Sequence, residues 1–140
     1  MTFETPFVYV DMDIMENNIR RMAERLKRFH IEHWPHIKTH KSVEIAKKQL
    51  EYGAKGITAA KLSEAEVMAE GGINQILIAY PLVGEKKLNR LRSLLQKAHV
   101  RTIADSETVA AGLSKVGESL GKKVEVLIEI DGGSHRGGVQ

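Results

Sequence analysis

The chain has 140 residues, 42% of them hydrophobic and 28% charged, which fits one globular domain and excludes a disordered segment. A net charge of +3 and an aromatic content of 5% exclude the concentrated basic surface and the stacking platform of a nucleic-acid binder. With no cysteine, the chain makes no disulfide or thiolate metal site, and no apolar run reaches the ~18 residues of a membrane span.

Residues 1–6 do not read as a signal peptide, so the expected location is the cytoplasm. Phe7–Val10 reads as a short strand. Asp13, with Glu16 three residues on, forms a capping-box pattern, and Ile19, Met22, Leu26 and Phe29 follow at helical spacing. Trp34–Lys41 reads as a strand running into a loop, with Trp34, His36 and Lys38 on one face. Ser42 is the expected cap of a helix that stops at Gly53. A strand over Gly56–Ala60 precedes a helix introduced by the Ser63/Glu66 pair and ended by Gly71-Gly72. Gln75–Tyr80 is nearly all apolar, as in a parallel strand covered on both faces, and Pro81 ends it. A helix from Glu85 to Ala98, a strand over Val100–Ala104, a helix opened by Asp105 or Ser106 and stopped by Gly121, and a strand over Val124–Ile130 complete the series.

Unbroken strand–helix alternation predicts a parallel sheet with right-handed crossovers, which a closed barrel or an open doubly wound sheet would both satisfy. The last strand favours the barrel. Val124, Val126, Ile128 and Ile130 would meet the helices, while Glu125, Leu127, Glu129 and Asp131 look inward. The expected fold is therefore α/β, a partial (β/α)8 barrel with its chemistry at the C-terminal mouth. Too few units are present to close eight strands, so residues 1–140 read as part of a longer protein.

Lys38 is the leading candidate for chemistry. A lysine at a barrel mouth loses water, and the neighbouring His36, His40 and Lys41 add positive charge, which together favour a neutral amine able to form a Schiff base. Lys41 and Lys61 are rivals at nearby loop positions. His36 is expected to line the pocket rather than bind a metal, because Pro35 and the strand pattern argue against a helix presenting His36 and His40 together. In the glycine-rich turn Asp131–Gly138, the guanidinium of Arg136 could reach a carboxylate or phenolate oxygen.

Pro35-His36-Ile37-Lys38-Thr39-His40-Lys41 resembles the cofactor-lysine motif of the D-threonine aldolase and D-serine dehydratase group, a metal-linked branch of the alanine racemase-like, fold-type III pyridoxal phosphate enzymes. Thr5-Pro6 with Val10–Asp13, Ala60–Glu66, Ile76–Pro81, and Glu129–Asp131 with Arg136–Val139 are similar in order, so the resemblance covers nearly the whole chain. Ile76–Pro81 leans toward the dehydratase side. The resemblance implies that residues 1–140 are the N-terminal part of a barrel binding pyridoxal 5'-phosphate, with the remaining strands and a C-terminal β-domain absent. It implies that Lys38 holds the cofactor and that Arg136 contacts its 3-oxygen. It further implies a lyase acting on a β-hydroxy D-amino acid, a divalent metal with ligands outside this chain, and a homodimer of the full-length protein. An amino-acid racemase and a non-catalytic pyridoxal phosphate carrier are the alternatives.

Overall fold

Helix α1 (Met12–Arg28) starts two residues earlier than the acidic pattern suggests. In the computed structural model, which describes residues 3–140, Asp11 rather than Asp13 is the cap, and its carboxylate accepts the Ile14 N–H at 3.0 Å. Asp13 falls in the first turn, where its charge suits the positive helix end. No residue of α1 is buried. Its ties run to helix α2 (Val43–Glu51), through Lys48 to Glu16 at 2.8 Å, and to the Tyr52 hydroxyl just beyond it. Ser42 caps α2 as expected, by accepting the Ile45 N–H.

Phe7–Val10, expected as a strand, forms no strand and pairs with none among the described residues, and Val8 and Tyr9 are exposed. A strand exists through its ladder, and these residues have none.

Four parallel strands form one sheet: β1 (Ile57–Ala59), β2 (Gln75–Ile78), β3 (His99–Ala104) and β4 (Glu125–Ile128). Helices α3 (Leu62–Glu70), α4 (Glu85–Leu94) and α5 (Glu107–Leu120) make the crossovers. Each strand pairs with its sequence neighbour, in the order β1-β2-β3-β4. A doubly wound sheet needs a point at which that order reverses. None occurs here, and the architecture is a partial (β/α)8 barrel.

One face of the sheet supplies the core. Ile57, Ala59, Ile76, Ile78, Val100 and Thr102 are buried and face helices whose inner sides carry Leu62, Met68, Leu91, Leu113 and Val116. The helices are also tied to one another, Arg90 of α4 to Glu66 of α3 and Arg92 of α4 to Ser119 of α5. Gly121 ends α5 in the left-handed region, φ 60°, a conformation in which a side chain is disfavoured.

The other face carries the mixed side chains that parity places inside the cylinder. Glu125 accepts from Arg101 and pairs with His99, both at 2.8 Å, and the Arg101 guanidinium lies 4.7 Å from the Trp34 ring. These groups form a polar floor at the N-terminal ends of the strands. Among the described residues no helix is long and apolar enough to cross a membrane.

Candidate active site

Lys38 does not sit on a strand. His33–Pro35 runs beside β1, with the Pro35 carbonyl accepting the Thr58 N–H at 2.8 Å and the Trp34 carbonyl accepting the Thr58 hydroxyl at 2.9 Å. The pairing reduces to one bridge, His36 with Thr58. Ile37–Thr39 then form a single 3-10 turn. The cause is local. The His36 Nδ1 accepts the Lys38 N–H at 3.3 Å, acting as a cap, and the Ile37 carbonyl accepts the N–H groups of His40 and Lys41. Pro35 brings no N–H with which to lengthen the ladder. Ile37 is anchored in the core at 0% exposure, while Lys38 stands outward on the cavity side.

The turn closes on a second cap. His40 Nδ1 accepts the Ser42 N–H at 3.1 Å. Burial holds the imidazoles of His33, His36 and His40 below the usual histidine range, so the neutral rings are available to accept these bonds. For His36 the Lys38 charge acts in the same direction, and Glu64 opposes it.

Arg136 is carried by a closed loop rather than a free turn. Its neck is the bridge between Ile130 and Val139, with Asp131 N–H donating to the Val139 carbonyl and Val139 N–H to the Glu129 carbonyl. Inside the loop, Asp131 Oδ1 accepts the N–H groups of Gly133 and His135 at 2.9 and 3.0 Å, and Oδ2 meets His135 Nδ1 at 2.8 Å. These bonds, the His135 backbone N–H foremost, hold the Asp131 carboxyl below the usual carboxylate range. Gly138 is required at φ 98°, because a Cβ there would lie 2.5 Å from the Asp131 nitrogen.

His36, Lys38 and Arg136 line one concavity of about 580 Å³ at the C-terminal ends of the strands. Ala60, Ala79, Tyr80, Asp105 and Glu129 complete its wall. None of the ion pairs among the described residues uses Lys38. Lys41 does not join the concavity and instead pairs with Glu64 at 3.2 Å. Lys61 is the exposed cap residue of α3. Two other hollows, one between α5 and β4 and one between α1 and the residues that follow α2, contain neither Lys38 nor Arg136.

Strand parity turns Glu129 inward, as expected, whereas Asp105, expected only as an alternative helix cap to Ser106, stands in the wall just after β3. Glu64 was obscured by the Ser63/Glu66 pattern. Lys61 is the cap position of α3, with no side-chain cap bond, and Glu66 is engaged by Arg90. Glu64 folds back to accept the Ala60 N–H at 2.8 Å. Among the described residues, no three or more His, Asp or Glu side chains are grouped as a metal site.

The chain is 36% identical over 139 residues to D-threo-3-hydroxyaspartate dehydratase from Delftia sp., a match covering 99% of this chain and 37% of that protein. Its fold superposes on the crystal structure of D-threonine aldolase from Filomicrobium marinum with a TM-score of 0.94 at 36% identity, over 98% of this chain and 37% of that one. It also matches a mutant of D-threo-3-hydroxyaspartate dehydratase in the metal-free form, with a TM-score of 0.83 at 37% identity, over 99% of this chain and 37% of that one. The chain thus spans little more than a third of the length of these relatives. Residues 10–140 match the family described as alanine racemase, N-terminal domain, and by that match and the shared barrel geometry the chain belongs to this family.

Proposed function

We propose that this chain is the N-terminal part of a pyridoxal 5'-phosphate-dependent lyase that acts on β-hydroxy D-amino acids, by dehydration or by aldol cleavage. One observation carries the reading: an amine outside every ion pair among the described residues, a guanidinium on a braced loop and a half-buried imidazole line the same concavity, in a chain similar over nearly all its length to enzymes of both kinds. The remaining barrel strands and a C-terminal β-domain would lie outside these residues. The expected setting is a cytoplasmic homodimer.

The donor set suits the cofactor. Lys38 is the nucleophile that would hold its aldehyde carbon, and Arg136 the donor to its phenolate oxygen or to a substrate carboxylate. His36 lines the same wall and fixes the turn that carries Lys38. Bound pyridoxal phosphate supplies an electron sink for negative charge at the substrate Cα. The Lys38 amine would be the base that takes the Cα proton in dehydration, or the acid that delivers one to Cα in aldol cleavage. A divalent metal, bound by residues outside this chain, would meet the β-hydroxyl. The metal-free form described for a dehydratase relative supports a metal in this group.

The test is full-length protein loaded with pyridoxal phosphate and treated with borohydride. Lys38→Ala should abolish the trapped covalent cofactor, and the parent protein should convert a β-hydroxy D-amino acid to a 2-oxo acid and ammonia, or to glycine and an aldehyde. Trapping that survives in Lys38→Ala overturns the assignment of Lys38. Racemisation with neither product overturns the lyase.

A further inference from the structure

We propose that Glu64 is a positioning residue for Lys38, acting through Lys41. This rests on the reading of Lys38 given above. Glu64 lies in the first turn of α3, yet its side chain is only 7% exposed. One oxygen accepts the Ala60 N–H at 2.8 Å, at the end of β1. The other receives the Lys41 ammonium at 3.2 Å. A single buried carboxylate therefore clamps the strand end to the turn that carries Lys38.

The turn needs a clamp. Lys41 has φ 51°, a left-handed conformation that a side chain disfavours, and it falls where the 3-10 turn must reverse into α2. Its backbone N–H closes on the Ile37 carbonyl at 2.8 Å, so the five residues from Ile37 to Lys41 move together. Pulling the Lys41 side chain toward Glu64 holds that reversal. It also divides the labour of the two lysines, since the Lys41 amine is committed to a buried carboxylate while the Lys38 amine is left on the cavity. Charged and titratable groups around Glu64 come from three segments: Lys41 on the turn, Lys61 beside its own helix, and His36 before the turn. Lys61 is exposed at the cap position of α3, and Lys41 is the one that touches the carboxylate.

The experiment measures how fast full-length protein captures pyridoxal phosphate in borohydride-trappable form. The variants are Glu64→Gln, Lys41→Met, the double variant, Lys41→Arg and Lys38→Ala, each with its thermal unfolding midpoint. Glu64→Gln keeps the shape and an acceptor for the Ala60 N–H but removes the charge. It and Lys41→Met should each slow capture roughly tenfold, and the double variant should be no slower than either, as for two partners in one interaction. Lys41→Arg should restore capture to within about twofold of the parent, which a loss of packing alone would not do. Unchanged single variants, losses that multiply in the double variant, or Lys41→Arg as slow as Lys41→Met would each overturn the proposal. If Glu64→Gln fails to fold, the contrast between Lys41→Met and Lys41→Arg, on a side chain 56% exposed, still decides it. Trapping that persists in Lys38→Ala refutes the assignment of Lys38 itself. Loss of trapping there, with no coupling between Glu64 and Lys41, refutes only the positioning role.

Discussion

Two neighbouring strands turn the same parity toward the helical layer with opposite results. Thr102 and Ala104 of β3 are 0% and 8% exposed, whereas their ladder partners in β4, Val126 and Ile128, are 41% and 72% exposed. The parity is the same and β4 has the larger apolar side chains. What differs is cover, because α4 and α5 flank β3 while β4 has α5 on one side only. Alternation along a strand therefore selects which residues can be buried, and the flanking crossover helix decides whether they are.

The sharpest way to break this comparison is to delete the same methylenes from both regions. Ile78→Ala removes a fully buried side chain from the middle of the covered sheet and should cost about 2–5 kcal/mol in denaturant unfolding. Ile128→Ala should stay within about 0.5 kcal/mol. Equal losses would mean that β4 is covered in solution by something these residues do not supply.

A smaller effect is expected at the floor of the barrel. A Cβ on Gly56 would lie 2.3 Å from the Trp34 ring and 2.6 Å from the Gln75 carbonyl, so neither side chain nor backbone can give way freely. Gly56→Ala should cost about 1–3 kcal/mol as overpacking, and should displace the Trp34 fluorescence that the stacked Arg101 modulates. Gly132→Ala is the control in the loop at the other end, where a Cβ meets nothing within 4 Å. A silent Gly56→Ala would show that the floor relaxes as readily as the edge.

The same contrast explains what could be read from the sequence. Helix starts at Ser42 and Ser106 and the stop at Gly121 are local events between residues a turn apart, and all three appear as the pattern implies. Strand–helix alternation and the inward Glu125 and Glu129 follow from periodicity alone. The turn carrying Lys38 was not legible, because periodicity says nothing of a histidine ring that accepts the N–H two residues on and converts a strand into a 3-10 turn. Glu64 was hidden for a different reason. Ser63 and Glu66 mimic a capping box, and the partner that gives Glu64 its meaning, Lys41, lies across the fold. The Arg136 loop reads as glycine-rich and flexible, yet Asp131 braces it from within.

That brace gives the smallest expected effect, confined to one loop. The Lys38 turn is held by long-range ties to β1 and α3, whereas residues 131–139 hold themselves through Asp131 and the neck at Val139. Asp131→Asn should leave the global unfolding midpoint in place and speed hydrogen exchange at Gly133 and His135, whose N–H groups the carboxylate accepts. The pH dependence has a fixed sign. The folded carboxyl titrates below its ordinary value of 3.8, so its contribution is present above that value and is lost as pH falls through the depressed one. Protection at Gly133 and His135 should therefore persist into mild acid and collapse below the ordinary carboxylate range, with no such transition in Asp131→Asn. Protection at Gly133 and His135 that is unchanged in Asp131→Asn would instead mean that the neck at Ile130 and Val139, not the carboxylate, holds Arg136 on its side of the concavity.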